Sequence, residues 1–147
     1  MSAGFQIRRA AVADAADCAR VVHGWMSSTP WMPTRFTEAE LSDMIAKAIP
    51  VREIYVTGEP VAGYLSFHPE TALIAGLYVA KRCEGLGKAL VDHVKTGRDH
   101  LQLWTHEPNT RAHAFYEREG FARTGATREG EDGQPEFQMI WQREVGQ

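Results

Sequence analysis

The sequence lacks most of the features that mark secreted, membrane-embedded or metal-stapled proteins. Only two of its 147 residues are cysteines, Cys18 and Cys83, and they lie far apart without the spacing of a metal-binding pair. This usage is typical of a reducing compartment, so we expect a cytoplasmic protein. No stretch approaches the roughly 18 uninterrupted apolar residues of a membrane span. Asp14 and Asp17 interrupt the first apolar segment, so no signal peptide is predicted.

A strong charge of either sign is also absent. Lys and Arg together number 16 and Asp and Glu 19, which gives a net charge of -3. No run of Lys or Arg forms a basic stripe, which argues against a nucleic-acid partner. None of the six histidines shows a zinc-binding spacing, so no metal is predicted. A mildly acidic surface tolerates a cationic amine substrate without demanding one.

What is present is the composition of a globular domain, with 44% apolar and 24% charged residues. We expect a single domain over residues 1–147, since no internal repeat or low-complexity linker divides the chain. Apolar periodicity predicts the order β-α-α-β-β-β-α-β-α-β-β, an α+β fold with a mixed sheet. The strands are predicted over residues 5–9, 51–57, 61–68, 71–79, 101–105, 121–128 and 136–143, and the helices over 14–26, 37–48, 86–98 and 109–119.

Several local patterns support these elements. Thr37, with Glu40 three residues later, fits a capping box that opens the second helix, and Pro50 bars its continuation. Gly120 is expected to end the last helix. The strand over residues 71–79 is almost wholly apolar, which predicts burial on both of its faces.

The stretch 77–90 is the most informative part of the sequence. A strand runs into a glycine-containing loop that opens a helix, where unpaired backbone N–H groups and the helix dipole favour an anion. Gly85 and Gly87 let the backbone approach a phosphate without an intervening Cβ. Positive charge nearby comes from Lys81, Arg82 and Lys88. A plain strand–helix turn with incidental glycines remains the alternative.

Two other phosphate-binding motifs do not fit this loop. A Walker A loop needs a glycine where Arg82 stands and a Ser or Thr where Ala89 stands. A dinucleotide fingerprint needs a third glycine where Leu90 stands, and no βαβ repeat surrounds the site. What remains is an Arg-x-x-Gly-x-Gly pattern from Arg82 to Gly87.

Arg82-Cys83-Glu84-Gly85-Leu86-Gly87 resembles the pyrophosphate loop of the GNAT superfamily of CoA-dependent N-acyltransferases. Residues 109–121 resemble that family's second signature, Asn-x-x-Ala-x-x-Phe-Tyr-x-x-x-Gly-Phe. The two segments lie in the expected order and separation, and the order of elements matches over essentially the whole chain. The resemblance implies a GNAT-type fold, a mixed and mostly antiparallel seven-stranded sheet flanked by about four helices.

The resemblance also implies acetyl-CoA as cosubstrate, held in a slot where the fourth strand splays from the fifth at a bulge. Gly76 is compatible with such a bulge. Backbone groups of Leu77 and Val79 would pair with the pantetheine arm, and an N–H group of that segment would hold the thioester oxygen. The cofactor-binding residues implied are Leu77, Tyr78, Val79, Arg82, Cys83, Glu84, Gly85, Leu86, Gly87, Lys88, Asn109, Phe115 and Tyr116.

The activity implied is transfer of acetyl to a primary amine by direct attack in a ternary complex, without an acyl-enzyme. Tyr116 would lie beside the sulfur and act as general acid, the alternative being an aromatic core residue beside Phe115. The amine must lose a proton because alkylammonium pKa values lie near 10. Glu70 is named with Tyr116 as a candidate catalytic residue, but the proton acceptor stays open among Glu70, His68, His106, Glu107 and Tyr78. Cys83 lacks a neighbouring base, which disfavours it as a nucleophile.

The acceptor site is implied to lie at the loop after the first helix, where Trp25, Trp31 and Arg35 are the expected substrate-binding residues. The alternative is that Trp25 belongs to the core and Trp31 only covers the sheet. The turn over residues 131–134 is expected to form an opposite wall, a dimer contact or neither. The acceptor is open between a small-molecule amine and a peptide or protein amine, as is a homodimer. A non-catalytic acyl-CoA-binding module and a nucleotide-binding regulator are the functional alternatives.

Overall fold

The structure is a computed structural model that describes residues 6–80 and 85–144. Strands and helices follow one another in the predicted order, with one added turn of 3-10 helix at Val12–Asp14. The strands are β1 (Ile7–Arg9), β2 (Glu53–Thr57), β3 (Gly63–His68), β4 (Leu73–Val79), β5 (His100–His106), β6 (Ala122–Glu129) and β7 (Pro135–Gln142). The helices are α1 (Ala15–Ser28), α2 (Glu38–Ala48), α3 (Leu86–Lys95) and α4 (Thr110–Arg118).

The strands form one seven-stranded sheet in the order β1-β2-β3-β4-β5-β7-β6. Every neighbouring pair is antiparallel except β4 and β5, which run parallel. The predicted α+β fold with a mixed, mostly antiparallel sheet is therefore confirmed.

Each face of the sheet carries its own apolar core. On one face α1 and α2 pack against side chains of β2 and β3, including Ile54, Val56 and Tyr64. On the other face α3 and α4 pack against Leu65 and Phe67 of β3 and against the buried side chains of β5 and β7. Burial of these side chains on both faces fixes the register of β3, since a slip by one residue would exchange its two faces.

The sheet opens between β4 and β5. These strands pair only through Leu73 with Gln102 and Ile74 with Leu103, and they separate beyond that point. The pairing of β3 with β4 shifts register between Ser66 and Phe67, which leaves Ala75 as an extra residue on β4. This is the bulge expected at the neighbouring Gly76, and it bends β4 away from β5.

The opening overturns one prediction. The segment 71–79 is apolar but is not buried on both faces. Ala72 and Ile74 are buried, whereas Ala75 is exposed and Gly76, Leu77, Tyr78 and Val79 are only partly covered. The apolar pattern predicted a strand buried by its neighbours, but β5 does not lie against the second half of β4.

The predicted helix ends hold within a few residues. The largest difference is at α3, which ends at Lys95 rather than at residue 98 because Gly97 adopts φ +75° just beyond it. Gly120 adopts φ +95° and follows the last turn of α4, as predicted. In the described part of the chain, no helix has the length and apolar character to cross a membrane.

The capping box of α2 is present in full. Oγ1 of Thr37 accepts a hydrogen bond from the backbone N–H of Glu40 at 3.1 Å, and the Glu40 carboxylate accepts one from the N–H of Thr37 at 2.9 Å. Two of the unpaired N–H groups at the start of the helix are satisfied in this way.

We expect Thr37→Ala to lower the free energy of unfolding by about 1 kcal/mol, because one of these hydrogen bonds is lost at an exposed helix start. Urea denaturation followed by circular dichroism measures this change. Thr34→Ala, at an exposed loop position just before the cap, is the matched control and should leave stability unchanged. Equal stability of the two variants would show that the cap contributes nothing.

Candidate active site

The opening between β4 and β5 leads into a cleft of about 570 Å³. One wall is the exposed part of β4, residues 73–78, and the facing wall is the end of β5, residues 103–106. The lining also includes side chains of α1 and α4, of the loop between α1 and α2, of the turn between β6 and β7 with its adjoining strand ends, and of Arg52 and His68. The cleft therefore lies where several elements end, and each contributes only a few side chains.

The β4 wall offers backbone groups as well as side chains. Gly76, Leu77 and Tyr78 line the cleft, and the β5-facing backbone beyond Ile74 has no strand partner in the described residues. Val79 is paired with Gly63 of β3 and does not line the cleft. A strand edge with unpaired N–H and C=O groups is suited to an extended ligand that adds itself as a further strand.

Tyr116 lies on α4 and borders both the core and the cleft. Its ring packs edge-on against Phe115 and Phe121 at centroid distances of 5.2 and 5.5 Å, and only 8% of the residue is exposed. Burial, with a smaller contribution from the nearby Tyr78, raises the pKa of Tyr116 well above its ordinary value. The phenol is therefore protonated at neutral pH and able to donate a proton into the cleft.

The glycine loop is described from Gly85 onward, and Lys81, Arg82, Cys83 and Glu84 lie outside the described residues. Gly85 adopts φ +76° immediately before Leu86, the first residue of α3. A Cβ on Gly87 would lie 3.3 Å from the ring of Phe115, so this glycine also permits close packing of α3 against α4.

Lys88 is exposed, but its ammonium group is paired with carboxylates of the protein. Its Nζ lies 3.2 Å from Glu119 and 3.3 Å from Asp92. The hydrogen bond to Glu119 raises the pKa of Lys88 above its ordinary value. The charge of Lys88 is thus balanced by these two side chains.

Asn109 lines the cleft and is also the N-cap of α4. Its side-chain oxygen accepts a hydrogen bond from the backbone N–H of Ala112 at 3.2 Å. The sequence assigned Asn109 to the cofactor, and the structure adds a role in starting the helix that carries Phe115 and Tyr116.

Of the predicted acceptor residues, Trp25 lines the cleft, and Trp31 does not line it but packs against Trp25. The ring of Trp25 lies 5.8 Å from that of Trp31 and 5.4 Å from that of Tyr78, measured between centroids. The ring of Trp31 lies 5.3 Å from the imidazole of His106. Trp25 lines the cleft and also packs against the core, so it fits both the substrate-binding and the core interpretation that the sequence left open. Arg35 lines the same cleft.

His106, one of the candidate proton acceptors named from the sequence, lies in the cleft beside two carboxylates. Its Nε2 lies 2.7 Å from Oδ2 of Asp132 and 3.6 Å from Oε2 of Glu136, and all three residues line the cleft. Burial disfavours ionisation of Asp132, but hydrogen bonds from the backbone of Gln134 and from His106 outweigh it and hold the pKa of that carboxyl below its ordinary value. An ionised Asp132 therefore faces the imidazole at neutral pH.

The two carboxylates beside His106 were not named as site residues from the sequence. Glu136 stands directly opposite His106 in the β5–β7 pairing, and Asp132 follows from the tight turn between β6 and β7. The turn over residues 131–134 does form a wall of the cleft, one of the outcomes expected for it. One side-chain nitrogen or oxygen atom from each of His106, Asp132 and Glu136 lies within 4.8 Å of the other two. His106 and Asp132 are joined by a hydrogen bond.

The other candidate acids and bases are placed less favourably. Glu70 is exposed in the turn between β3 and β4 and is not among the residues that line the cleft. Glu107 is exposed and lines only a shallow surface depression beside β6. His68 lines the cleft at the end of β3, at the opposite end of β4 from Tyr78.

Comparison with known proteins identifies the class. Residues 16–121 match the sequence model of the acetyltransferase (GNAT) family. The chain is 31% identical over 101 residues to peptidyl-lysine N-acetyltransferase YjaB of Salmonella typhimurium strain LT2, which covers 66% of this chain and 69% of the relative. The chain therefore belongs to the GNAT acetyltransferase family, and the resemblance seen in its motifs is confirmed.

Solved structures share the fold over nearly the whole chain. Apo YjaB from Escherichia coli superposes with a TM-score of 0.76 at 21% identity, covering 97% of this chain and 99% of its own. The acetyltransferase yncA from Salmonella typhimurium, solved with acetyl-CoA, gives a TM-score of 0.67 at 21% identity and covers 96% and 95% of the two chains. The fold class predicted from the sequence is thus that of these enzymes.

Asn109 provides a test that separates its two roles. Asn109→Ala should lower the free energy of unfolding by about 1 kcal/mol, whereas Asn109→Ser keeps a capping oxygen and should restore stability. Thermal or urea unfolding measures this part. If Asn109 also contacts the cofactor, CoA affinity measured by calorimetry stays reduced in Asn109→Ser. Full recovery of affinity in the serine variant would reduce Asn109 to a helix cap.

Proposed function

We propose that this enzyme transfers acetyl from acetyl-CoA to a primary amine by direct attack in a ternary complex. The observation that carries the proposal is the geometry of one cleft, in which an unpaired β4 edge and a buried phenol face an imidazole paired with a carboxylate. The related structure of yncA with acetyl-CoA supports the choice of cosubstrate. The free and buried thiol of Cys18 is consistent with a cytoplasmic enzyme.

The cofactor is proposed to bind along β4 and the start of α3. The pantetheine arm would pair with the backbone of Leu77 and its neighbours, where β5 leaves the strand edge open. The pyrophosphate would lie at the N-terminus of α3, whose unpaired N–H groups and dipole favour a negative charge. Bound in this way, the thioester would lie between the β4 edge and Tyr116.

The acceptor is proposed to be the ε-amine of a lysine. The rings of Trp25 and Tyr78, which line the cleft, match the apolar stem and cationic head of such a side chain. The relative named peptidyl-lysine N-acetyltransferase supports the same class of amine. Asp132 and Glu136 would attract the ammonium group to His106.

His106 is proposed to take the proton that makes the amine nucleophilic. With the Nε2–H of the ring donated to Asp132, the lone pair resides on Nδ1, which is the nitrogen able to accept a proton. The negative charge of Asp132 stabilises the imidazolium that results. His106 takes the place of Glu70 in this proposal because Glu70 does not line the cleft.

The transfer itself is a two-stage displacement at the thioester carbon. The amine nitrogen forms a bond to that carbon, and the carbonyl electrons move to the oxygen, where an N–H group of the β4 edge would stabilise the negative charge by about 3 kcal/mol. The nitrogen, cationic after the attack, releases its second proton to water, and the oxygen then reforms its double bond as the C–S bond breaks. The leaving thiolate takes the phenolic proton of Tyr116, and water returns a proton to the phenolate.

The first prediction concerns Tyr116. Tyr116→Phe should lower kcat by about 100-fold while CoA affinity stays unchanged, because the ring still packs but donates no proton. Release of CoA from acetyl-CoA with a lysine peptide measures the rate, and mass spectrometry identifies the product. Tyr55→Phe, which removes a phenol that bonds Glu53 and does not line the cleft, is the matched control. Full activity in Tyr116→Phe would rule out this residue as the acid.

A pH profile tests His106. At pH 7, His106→Gln should lower kcat/KM by about 100-fold, since most of the amine is then protonated. The loss should shrink as the pH approaches the amine pKa near 10, because a neutral amine needs no proton acceptor. His93→Gln, an exposed histidine that does not line the cleft, is the control. A loss of the same size at every pH would show that His106 contributes only packing and accepts no proton.

A further inference from the structure

The charged side chains that line the cleft are divided between its two ends. Carboxylates of Glu129, Glu131, Asp132 and Glu136 lie at the end formed by the β6–β7 turn. Arg128 lies among them, but it is paired with Glu136 at 2.8 Å and stacked over Trp104 at 4.3 Å. The acidic end therefore keeps an excess of negative charge.

The opposite end is basic. Arg52 lies directly before β2 and His68 at the end of β3, and both line the cleft. Arg35, from the loop between α1 and α2, is a second guanidinium in the cleft lining. The cleft thus presents Arg52 at one end and the carboxylates at the other.

The two guanidinium groups have no carboxylate partner within residues 6–80 and 85–144. Nη1 of Arg52 donates to Oγ of Ser66 at 3.2 Å, which orients a half-buried cation without neutralising it. Arg35 is exposed and stacks on Phe36 at 5.2 Å. A guanidinium held in place in this way can form a paired hydrogen bond with a carboxylate that arrives with a ligand.

The distance between the two ends sets the length of that ligand. Ser66, which anchors Arg52, stands on β3 opposite Gly76 of β4. His106 stands on β5, across the opening from β4, so the strand that anchors Arg52 lies at least two strand spacings, about 10 Å, from the strand that carries His106. An α-amine is separated from its own carboxylate by a single carbon, whereas the ε-amine of lysine stands at the end of four methylenes. A ligand that reaches both Arg52 and His106 therefore carries its carboxylate several bonds from its amine.

We propose that the preferred acceptor of this enzyme carries a carboxylate several bonds away from the amine that is acetylated, and that Arg52, with Arg35, binds it. The inference rests on the proposed function, in which His106 marks the position of the amine. Two sources offer this chemistry: an acidic residue next to a lysine in a peptide, and the α-carboxylate of free lysine.

Two matched pairs of ligands test the proposal. One pair is a short lysine peptide with Glu or Gln beside the lysine, and the other is Nα-acetyl-lysine and its amide. Each is titrated calorimetrically into protein saturated with CoA, so that binding is measured without transfer. The Glu peptide or the free carboxylate should bind about tenfold more tightly than its neutral partner. The pair that shows the preference identifies the source.

The preference should fall to near parity in Arg52→Gln and weaken in Arg35→Gln. Lys47→Gln removes an exposed cation of α2 that does not line the cleft and should keep the preference. Equal or undetectable binding within both pairs in the unmodified protein would overturn the inference, whatever the variants do. A clear binding preference without acetyl transfer to any lysine would instead count against the proposed function and leave only the carboxylate-binding role of Arg52 and Arg35 standing.

Discussion

The rest of the site depends on the separation of β4 from β5. Two residue pairs join these strands, and the bulge at Ala75 then turns β4 aside. A closed sheet would satisfy every backbone group of β4 and bury its apolar residues. The open sheet leaves an unpaired edge and a cleft that the buried Tyr116 borders, and it lets side chains of several elements meet around one space. The unpaired backbone groups of β4 cost stability, but they allow a ligand to pair with this edge as a further strand.

The packing on either side explains why the sheet withstands this opening. Phe67 and Leu65 are fully buried under α3, and Ile54 and Val56 are buried under α1 and α2, so β2 and β3 hold the N-terminal half together. The β5–β7 pairing extends over seven residue pairs and fixes His106 opposite Glu136. The cleft therefore lies between two well-packed halves, and the residues proposed as acid and base sit on regular elements. Such support keeps catalytic groups in place before the substrate arrives.

Much of the fold could be read from local patterns, and the site only in part. Thr37 and Glu40 act within one turn, and Gly120 acts at one residue, so neighbouring sequence was sufficient to predict them. Burial of β4 was predicted wrongly because apolar periodicity does not show whether a neighbouring strand is present. Asp132 and Glu136 were missed because their approach to His106 depends on pairing between distant strands. Glu70 was named because it follows a strand end, but the turn leaves it outside the cleft.

The most direct test of this account is a calorimetric titration of the protein with CoA and with ATP, repeated on Gly87→Trp. The account predicts CoA binding in the micromolar range, no comparable binding of ATP, and loss of CoA binding in the variant, whose indole would occupy the start of α3 beside Phe115. Circular dichroism would establish that the variant is folded. A folded, unmodified protein that binds no CoA would contradict the assignment of the open β4 edge to acetyl-CoA.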